Sequence, residues 1–485
     1  MVRVIGCLLV ASAAALLVYL ACGGPQSAAA PKLPGGDVRD FGAKGDGVAD
    51  DSAAIQKALD ASPGTVFFSP GAYRITKPIV IDLDKTGFTT LRGNGVARVI
   101  MAGEGSAFKF IGTHGGTAQP SSVKDNVWAK ERMPGVDGIE IVGEHEKANG
   151  IEAAGTMKLT ITRVLIRRCF HGIHLTSRNR NVLIADSHIY HNRGIGVFMD
   201  KVNLHQINIT GSHISYNDGG GVACIGGEVR NIQITGCDIE ANHGKDGPPT
   251  ANVLVDSTGG TNAEVAITGN TIQHTRNAPG SANVRIKGPT VPNKGTDEVR
   301  DGHVTITGNV MSDVKVNIHL DHARGVAITG NTMWTGEEYN LLAEKSSNVV
   351  IGVNNLDRNP RYHREEEKAT DAVLFRECSD CTISGLQVVG VRHAPAAIAL
   401  EKCDRFNITN VAILDCDGVG LDLKDVTRSR VSGCLIRDDR PPAKSLSIRT
   451  GDGQDNSITD NTFGRPHEIL KGVGLVERNF EPWRK

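Results

Sequence analysis

The chain has 485 residues and a formal net charge of −1, with 53 basic and 54 acidic residues. This balance leaves no overall positive field, which argues against nucleic acid as a partner. Glycine is abundant, at 57 residues, whereas aromatic residues make up only 4%. That mixture is typical of tight turns and short strands, and it favours one long solenoid over several ordinary globular domains.

The first 21 residues are a predicted signal peptide, with Arg3 before an apolar run that extends through Val4–Leu20. The sequence Tyr19-Leu-Ala-Cys22 resembles a bacterial lipobox, in which Cys22 would be lipidated and become the mature N-terminus. The alternative is ordinary cleavage near Ala28–Ala30. We therefore expect an exported lipoprotein, anchored in the outer membrane or at the cell surface. With ordinary cleavage, a periplasmic or secreted protein is expected instead.

A short helix is predicted over Ser52–Ala61, because Ile55, Ala58 and Leu59 then share one apolar face. An open end of a stacked sheet invites association with other chains and needs a cover. We expect this helix to cap the first coil and residues 463–485 to cover the opposite end.

A repeated phrase dominates the chain from residue 158 onward. Each unit has a V-x-I-T strand, a short second strand, a Gly-rich turn and a third, alternating strand. The period is about 23 residues with insertions, which indicates a solenoid. Alternation by two predicts strands with one inward face, so we expect an all-β fold, a right-handed parallel β-helix. Residues 22–36 are a predicted linker and 37–485 a single domain. Clear members of the repeat are Ile207–Thr210, Ile232–Thr235, Val265–Thr268, Val304–Thr307 and Val326–Thr329.

Polar residues also recur at one position of the repeat. Four asparagines in successive coils, stacked at about 4.8 Å, would bond along the axis as a structural ladder. They are Asn270, Asn309, Asn331 and Asn354. Cys378 and Cys403 align in the same way one coil apart. They would form either a disulfide or part of a stack of reduced core thiols.

The segment Asp40–Gln56, with the sequence D-F-G-A-K-G-D-G-V-A-D-D-S-A-A-I-Q, resembles the N-terminal signature of the pectate-lyase-like superfamily. Leu91–Gly95 continues the match. The resemblance implies a parallel β-helix with a polysaccharide as partner. It does not imply one reaction, because the superfamily includes lyases, hydrolases, epimerases and proteins without activity. We interpret the signature itself as structural.

The substrate groove of such proteins runs along one sheet, which we assign to the third strand of each unit. Inward pairs such as Val253/Val255 leave two outward columns. The columns are densest in their middle, where five residues lie on three adjacent coils. The columns are predicted to end at Asp422 and Ser447, and at Lys424 and Arg449. Insertions 241–251, 274–282, 289–303 and 357–371 could wall a cleft around the middle. The five central residues are Asp256, Arg285, Lys287, His319 and Asp321.

Two mechanisms fit these residues. In a lyase, Asp256 and Asp321 could hold Ca²⁺, while Lys287 or Arg285 would neutralise a uronate carboxylate or remove the α-proton. In a hydrolase, the same two aspartates would be about 9.6 Å apart, near the upper end of the range for inverting enzymes. Asp200 is expected two coils before Asp256, so these two aspartates would also be about 9.6 Å apart. No cofactor other than Ca²⁺ is predicted.

The tripeptide Arg285-Ile-Lys287 resembles the R-I-K element of polygalacturonases, which implies contact with a sugar acid for Arg285 and Lys287. The companion N-T-D and G-H-G elements are missing from this sequence. We assign catalysis to Asp256, Lys287 and Asp321. Substrate binding is assigned to Asp200, Arg285 and His319.

The alternative for the central residues is a row of cross-strand ion pairs on a solvated sheet. That interpretation is also the one we adopt for Glu401, Lys424 and Arg449. The sequence thus predicts a lyase or hydrolase acting on an acidic polysaccharide. The alternative is a non-catalytic glycan-binding or structural lipoprotein.

Overall fold

The computed structural model describes residues 36–116, 118–245, 247, 250–289, 291–292, 295–363, 368–441 and 444–482. The predicted signal peptide, the lipidation site Cys22 and the linker up to residue 35 lie outside these ranges. No helix within the ranges is long and apolar enough to cross a membrane.

The chain winds into a right-handed parallel β-helix, as predicted. Each strand pairs in parallel with its counterpart one coil further on, as in the series Val265, Val304 and Val326. Three sheets therefore run along the axis, and the chain passes from the first to the second to the third before it begins the next coil.

The strands of the three sheets follow from this pairing. The first sheet contains Gly64–Phe67, Thr160–Thr162, Ala263–Thr268, Asp301–Thr307, Ala323–Thr329, Ser347–Ile351, Thr382–Ser384, Asn407–Thr409, Arg430–Ser432, Asn456–Thr459 and Gly474–Glu477. The second sheet contains Asp46–Asp50, Gly71–Ile75, Leu165–Arg167, His188–Tyr190, His213–Ser215, Asp238–Glu240, Thr271–Gln273, Val310–Ser312, Thr332–Met333, Asn355–Asp357, Gln387–Val389, Ala412–Leu414, Leu435–Arg437 and Thr462–Phe463. The third sheet contains Ile79–Asp82, Gly105–Ile111, Ala148–Met157, Ala251–Gly260, Ala282–Lys287, Val314–Asp321, Gly336–Glu344, Ala372–Arg376, Ala396–Glu401, Val419–Lys424 and Leu446–Thr450.

Some strands turn a corner and belong to two sheets. Those shared by the first and second sheets are Thr89–Met101 and Gly135–Gly143. Those that continue from the third sheet into the first are Ile173–Ala185, Ile195–Thr210 and Gly220–Thr235. A separate parallel pair is formed by Val426–Thr427 and Gly453–Gln454.

Helices are few and short. The helix Ser52–Ala61 has the predicted bounds, and its buried residues Ile55, Ala58 and Leu59 join the core at the N-terminal end. The others are the 3₁₀ turns Val38–Phe41 and Pro120–Ser122, the single α-turn Leu83–Thr86 and the π-turn Val127–Glu131.

The core fills the space between the three sheets. Its residues are the inward positions of the V-x-I-T strands and their equivalents in the other two sheets, such as Val265, Ile267, Val304 and Ile306. Because these side chains stack on the same position in neighbouring coils, each coil buries its apolar face only with its neighbours present.

The predicted asparagine ladder is confirmed. The Nδ2 groups of Asn270, Asn309 and Asn331 donate to the Oδ1 atoms of Asn309, Asn331 and Asn354, over 3.0, 3.0 and 2.9 Å. All four residues are buried. Each buried amide is thus satisfied by the next coil, as buried polar groups require.

A second, longer ladder runs along the corner between the second and third sheets. Its amide-to-amide bonds measure 2.7 to 2.9 Å, and all its members are buried. The backbone approaches it closely, because a side chain on Gly221 would lie 2.8 Å from the Asn242 amide. The ladder comprises Asn192, Asn217, Asn242, Asn252, Asn283, Asn317 and Asn340.

Each end of the solenoid has an element outside the regular coils. Near the first coil, the Asp51 carboxylate accepts hydrogen bonds from the backbone amides of Lys44 and Gly45, which is a structural role for the signature. At the other end, Gly474–Glu477 pairs with Asn456–Thr459.

The described cysteines are all buried and free, including Cys378 and Cys403. Of the two arrangements considered for that pair, the structure has the stack of reduced thiols. Their packing is that of small apolar side chains in the core.

Candidate functional site

The two predicted columns lie on the outward face of the third sheet. Strand pairing aligns Asp256 with Lys287, and Lys287 with Asp321, so these three residues occupy consecutive coils of one column. Arg285 and His319 are neighbours in the other column. The five central residues therefore form one cluster, which we call the central cluster.

Asp256 and Lys287 form an ion pair, with 3.3 Å between Nζ and Oδ2. The second carboxylate oxygen of Asp256 accepts a 2.8 Å hydrogen bond from the amide of Thr258. Both oxygens of Asp256 are thus acceptors, an arrangement that orients Lys287 and does not suit a carboxyl group that must donate a proton.

Arg285 is the most constrained member of the cluster. Its guanidinium donates to the carbonyls of Thr250, at 3.0 Å, and Gly280, at 2.6 Å. Its Nε donates to Nδ1 of His319 at 3.1 Å. Burial lowers the pKa of Arg285, and the negative charges of Asp321 and Asp256 act in the opposite direction. Arg285 therefore holds a largely buried positive charge in the central cluster and ties the chain at Thr250 and Gly280 to the third sheet.

His319 uses both of its ring nitrogens. Because Nδ1 accepts from Arg285, Nε2 carries the proton and faces Oε2 of Glu344 at 3.4 Å. Burial, and then the charge of Arg285, lower the pKa of His319. At neutral pH the ring is therefore an uncharged donor fixed in one tautomer.

The column continues beyond Asp321 as a row of polar contacts. Oδ1 of Asp321 lies 2.6 Å from Nδ1 of the adjacent His322. Arg376 then bridges Glu344, at 3.0 Å, and Glu401, at 2.9 Å. The interpretation of the later column as a solvated row of charges holds for Glu401, because its partner is the arginine of the preceding coil.

The end of the predicted columns was wrong by two residues. The structure pairs Asp422 with Arg449, not with Ser447, and the two side chains form an ion pair of 2.5 Å. Leu446 and Ile448 are both apolar, so alternation alone cannot distinguish two alignments that differ by two residues. Arg449 consequently belongs to the first column and does not follow Lys424.

Asp200 belongs to a separate polar cluster nearer the N-terminus. Its Oδ2 lies 3.2 Å from Nε2 of His174, whose ring stacks on Phe198 at 5.3 Å and 5°. In the column of Asp200, the next coil carries Ile225 before Asp256 is reached. The structure therefore does not bring Asp200 into contact with the central cluster.

Loops precede several strands of the third sheet. The loop before the strand Ala251–Gly260 contains the buried His243, whose Nε2 donates to the Ala282 carbonyl at 3.2 Å. Burial lowers the pKa of His243 to about 4. This histidine is therefore a neutral structural donor that joins its loop to the strand Ala282–Lys287.

A further loop, from 358 to 371, is secured by a buried cluster. Asp371 accepts from Arg358 at 3.1 Å and from His363 at 3.0 Å, and all three side chains are at most one-tenth exposed. Sequence reasoning did not identify this cluster, nor the pairs His174–Asp200 and His319–Arg285. The two pairs join residues that are 26 and 34 positions apart in the chain. Insertions vary the length of a coil, so only the register reveals such partners.

No group of three or more His, Cys, Asp or Glu side chains in the described ranges could hold a metal ion. Asp256 and Asp321 are separated by the coil of Lys287, and the oxygens of Asp256 are already engaged. Two such carboxylates fall short of the six to eight oxygen ligands of Ca²⁺. Within the described ranges, these two carboxylates do not by themselves complete a calcium site.

A family model of rhamnogalacturonase A/epimerase, pectate lyase-like, matches residues 36–278. The chain belongs to this family. A second model, of the periplasmic copper-binding protein NosD, matches residues 231–474. The chain belongs to that family also. The two matches overlap in residues 231–278, and the second covers the later half of the same solenoid. Its described side chains do not fit a copper site, because no suitable metal-ligand cluster is found among them and the described cysteines are buried.

Similar proteins include the mannuronan C5-epimerase AlgE6 of Azotobacter vinelandii, which is 30% identical over 174 residues. That match spans 32% of this chain and 19% of the epimerase. The structure of the AlgE6 A-module is similar with a TM-score of 0.32 and 17% identity, covering 92% of this chain and 98% of the module. A GH87 α-1,3-glucanase from Streptomyces thermodiastaticus gives a TM-score of 0.40 and 14% identity, covering 87% and 68% of the two chains.

Proposed function

We propose that the protein is an enzyme that removes the proton next to the carboxylate of a uronic acid residue in an acidic polysaccharide. The observation that carries the proposal is the central cluster, in which Lys287 and Arg285 lie on one coil between the coils of Asp256 and Asp321. A carbon acid of this kind needs a positive charge at its carboxylate and a base at its α-carbon. The cluster offers both within one or two strand spacings, about 5 to 10 Å.

Lys287 and Arg285 are assigned to the substrate carboxylate. Lys287 is one-third exposed and held by Asp256, so its ammonium group is available at the surface of the groove. Asp321 is assigned as the base, because it lies next to Lys287 in the same column and is about one-third exposed. Asp256 positions Lys287, and His319 keeps the guanidinium of Arg285 in place.

Two outcomes of the same proton transfer are compatible with this arrangement. If the C4–O bond breaks as the proton leaves C5, a C4=C5 double bond forms and the leaving oxygen takes a proton, which is the lyase reaction. If a proton returns to C5 from the other face, the sugar is epimerised. The similarity to mannuronan C5-epimerase supports including the second outcome beside the lyase.

Hydrolysis is the second candidate. Asp256 and Asp321 are two coils apart, about 9.6 Å, which is compatible with inversion through an intervening water. The two hydrogen-bonded oxygens of Asp256 disfavour that reaction, since one carboxyl group must then donate a proton. A Ca²⁺ ion bound in the cluster would need oxygen ligands beyond those of the protein. The carboxylates of the substrate would supply them.

The deciding experiment incubates the protein with mannuronan, guluronan, polygalacturonate and rhamnogalacturonan in D₂O, with Ca²⁺ or with a chelator. Absorbance of unsaturated uronates reports a lyase, deuterium at C5 without absorbance reports an epimerase, and reducing ends without either report a hydrolase. We expect Asp321→Asn and Lys287→Ala to lower the rate at least a hundredfold, which is roughly 3 kcal/mol in the barrier.

Lys424→Ala is the matched control, because Lys424 lies in the same column five coils from Lys287 and is exposed. Its rate should equal that of the wild type. Equal losses in both lysine variants would contradict the assignment of the central cluster. Binding of an acidic polymer without any product would instead favour the non-catalytic glycan-binding protein.

We also propose that the protein is exported and anchored by a lipid on Cys22, on the basis of its N-terminal sequence alone. In a bacterial host, the full chain should be recovered with the membrane fraction and should incorporate labelled fatty acid. Cys22→Ala should abolish the label, whereas Cys7→Ala, in the same segment, should retain it. Release of unlabelled wild-type protein would favour ordinary cleavage.

A further inference from the structure

Five rings form a continuous surface on the second sheet, away from the groove. They are His188 and Tyr190, the corner residue His191, and their neighbours one coil later, His213 and Tyr216. We call this surface the ring patch. Four of the rings are exposed, and Tyr216 has 45% of its surface accessible.

The rings are in mutual contact. The ring centroid of His188 lies 5.1 Å from that of His213. It lies 5.9 Å from that of Tyr190, and the planes of His188 and Tyr190 are 15° apart. His191 and Tyr216 stack at 5.0 Å and 17°. Aromatic residues make up only 4% of the chain. An exposed group of five rings is therefore more than a solvated sheet requires, and exposed patches of this kind commonly mark binding sites.

One end of the stack presents an open ring. His191 covers one side of Tyr216, whereas the corresponding corner residue in the next coil is Ala241, which carries only a methyl group. Tyr216 consequently offers a flat apolar surface at the corner of the coil.

Carboxylates border the rings in the next coil. Asp238 and Glu240 pair with His213 and Ser215, and Oδ2 of Asp238 lies 3.8 Å from Nδ1 of His213. Burial, and then the charge of His213, lower the pKa of His188, so that its ring is uncharged at neutral pH. The border of the patch is thus acidic while part of its surface is neutral.

We propose that the ring patch is a second glycan-binding site, specific for a neutral saccharide. The C–H face of a pyranose is apolar and is attracted to the negative face of an aromatic ring. Its hydroxyl groups can donate to the carboxylates of Asp238 and Glu240, and such charge-assisted bonds are strong. The same carboxylates repel a polyuronate, so the patch and the groove select different polymers.

The proposal goes beyond the reaction assigned to the groove, because the patch lies on the second sheet and the central cluster on the third. A chain bound at the patch would hold the protein to a neutral component of a mixed polysaccharide matrix. The groove would remain free for the acidic component.

The test is electrophoresis of the folded protein through native gels that contain soluble glucan, mannan, xylan or galactan, with a chelator to exclude metal capture by the histidines. We expect at least one neutral polymer to retard the wild type. The double variant Tyr190→Ala/Tyr216→Ala should bind that polymer roughly tenfold more weakly, which corresponds to about 1.4 kcal/mol.

A gentler variant, Asp238→Asn/Glu240→Gln, keeps the rings and should also weaken binding. Tyr362→Ala removes an exposed tyrosine elsewhere, with 53% of its surface accessible, and should leave the retardation unchanged. Asp321→Asn should likewise leave it unchanged, so a failure of the groove assignment does not affect this result. Unaltered migration of the wild type in all four gels, or equal losses in the Tyr362 variant, would overturn the proposal.

Discussion

Arg285 combines a charge in the central cluster with a structural role, and the sequence alone does not show the second. Its charge lies within the central cluster, and its guanidinium also holds the carbonyls of Thr250 and Gly280, which lie in two of the insertions. Lysine has the same charge but only a point donor, so it cannot reproduce the planar set of bonds.

We expect Arg285→Lys to lower the free energy of unfolding by about 1–3 kcal/mol, since at least one carbonyl loses its donor. Arg449→Lys is the control, because Arg449 is two-fifths exposed in its ion pair with Asp422 and such pairs contribute about 0–1 kcal/mol. Chemical denaturation of both variants measures the difference, and equal losses would contradict the structural role of Arg285.

His243 predicts how stability depends on pH. Burial lowers its pKa from 6.5 to about 4 in the folded chain. Between these values the unfolded chain binds a proton that the folded chain does not, so stability falls as the pH is lowered from about 6.5 to about 4. This residue alone contributes at most about 3 kcal/mol to the fall.

Denaturation curves measured at several pH values between 7 and 4 test this expectation. His243→Asn should show a shallower decline than the wild type, because it removes the titrating group. A parallel decline in both proteins would assign the acid sensitivity to other residues.

At the scale of the elements, the asparagine ladders connect one coil to the next. Asn354 ends the first ladder. Its Oδ1 accepts from both the backbone and the side chain of Asn331, while its Nδ2 donates to two backbone carbonyls. Its neighbour Asn355 is exposed.

Asn354→Ala should lower the free energy of unfolding by about 1–3 kcal/mol, because it leaves buried donors and acceptors unpaired. Asn355→Ala, at the adjacent exposed position, should change it by less than about 0.5 kcal/mol. Thermal or chemical unfolding distinguishes the two, and a similar effect of both changes would argue against the ladder as a source of stability.

The two asparagine ladders differ in whether the sequence pattern predicts them. The first ladder was predicted because Asn follows Gly in several similar repeats. The second was not, because its members lie 25, 25, 10, 31, 34 and 23 residues apart. Insertions between the second and third sheets, and between the third and first, vary these distances without changing the stacking in space.

For the whole molecule, the exposed ends are the vulnerable part of a solenoid. The strand Gly474–Glu477 covers the edge of Asn456–Thr459 in the first sheet. An uncovered edge has free backbone donors and acceptors that can pair with another chain.

Deletion of residues 474–485 should therefore cause concentration-dependent association, measured by light scattering during size-exclusion chromatography. Leu475→Lys keeps the strand in place while it removes an exposed apolar side chain, and that variant should remain as dispersed as the full chain. Association of the lysine variant to the same extent would mean that the strand does not act as a cover.

The sequence by itself determined the coil, because inward alternation, a recurring V-x-I-T strand and Gly-rich turns are local patterns that depend on the backbone and on burial. It also placed Asp256, Arg285, Lys287, His319 and Asp321 on one surface. Only the tertiary structure decided which charges pair, that Asp200 joins His174 instead of the central cluster, and where Arg449 lies. The physical reason is that alternation cannot distinguish registers that differ by two residues. Contacts between coils join residues whose separation in the chain varies with every insertion.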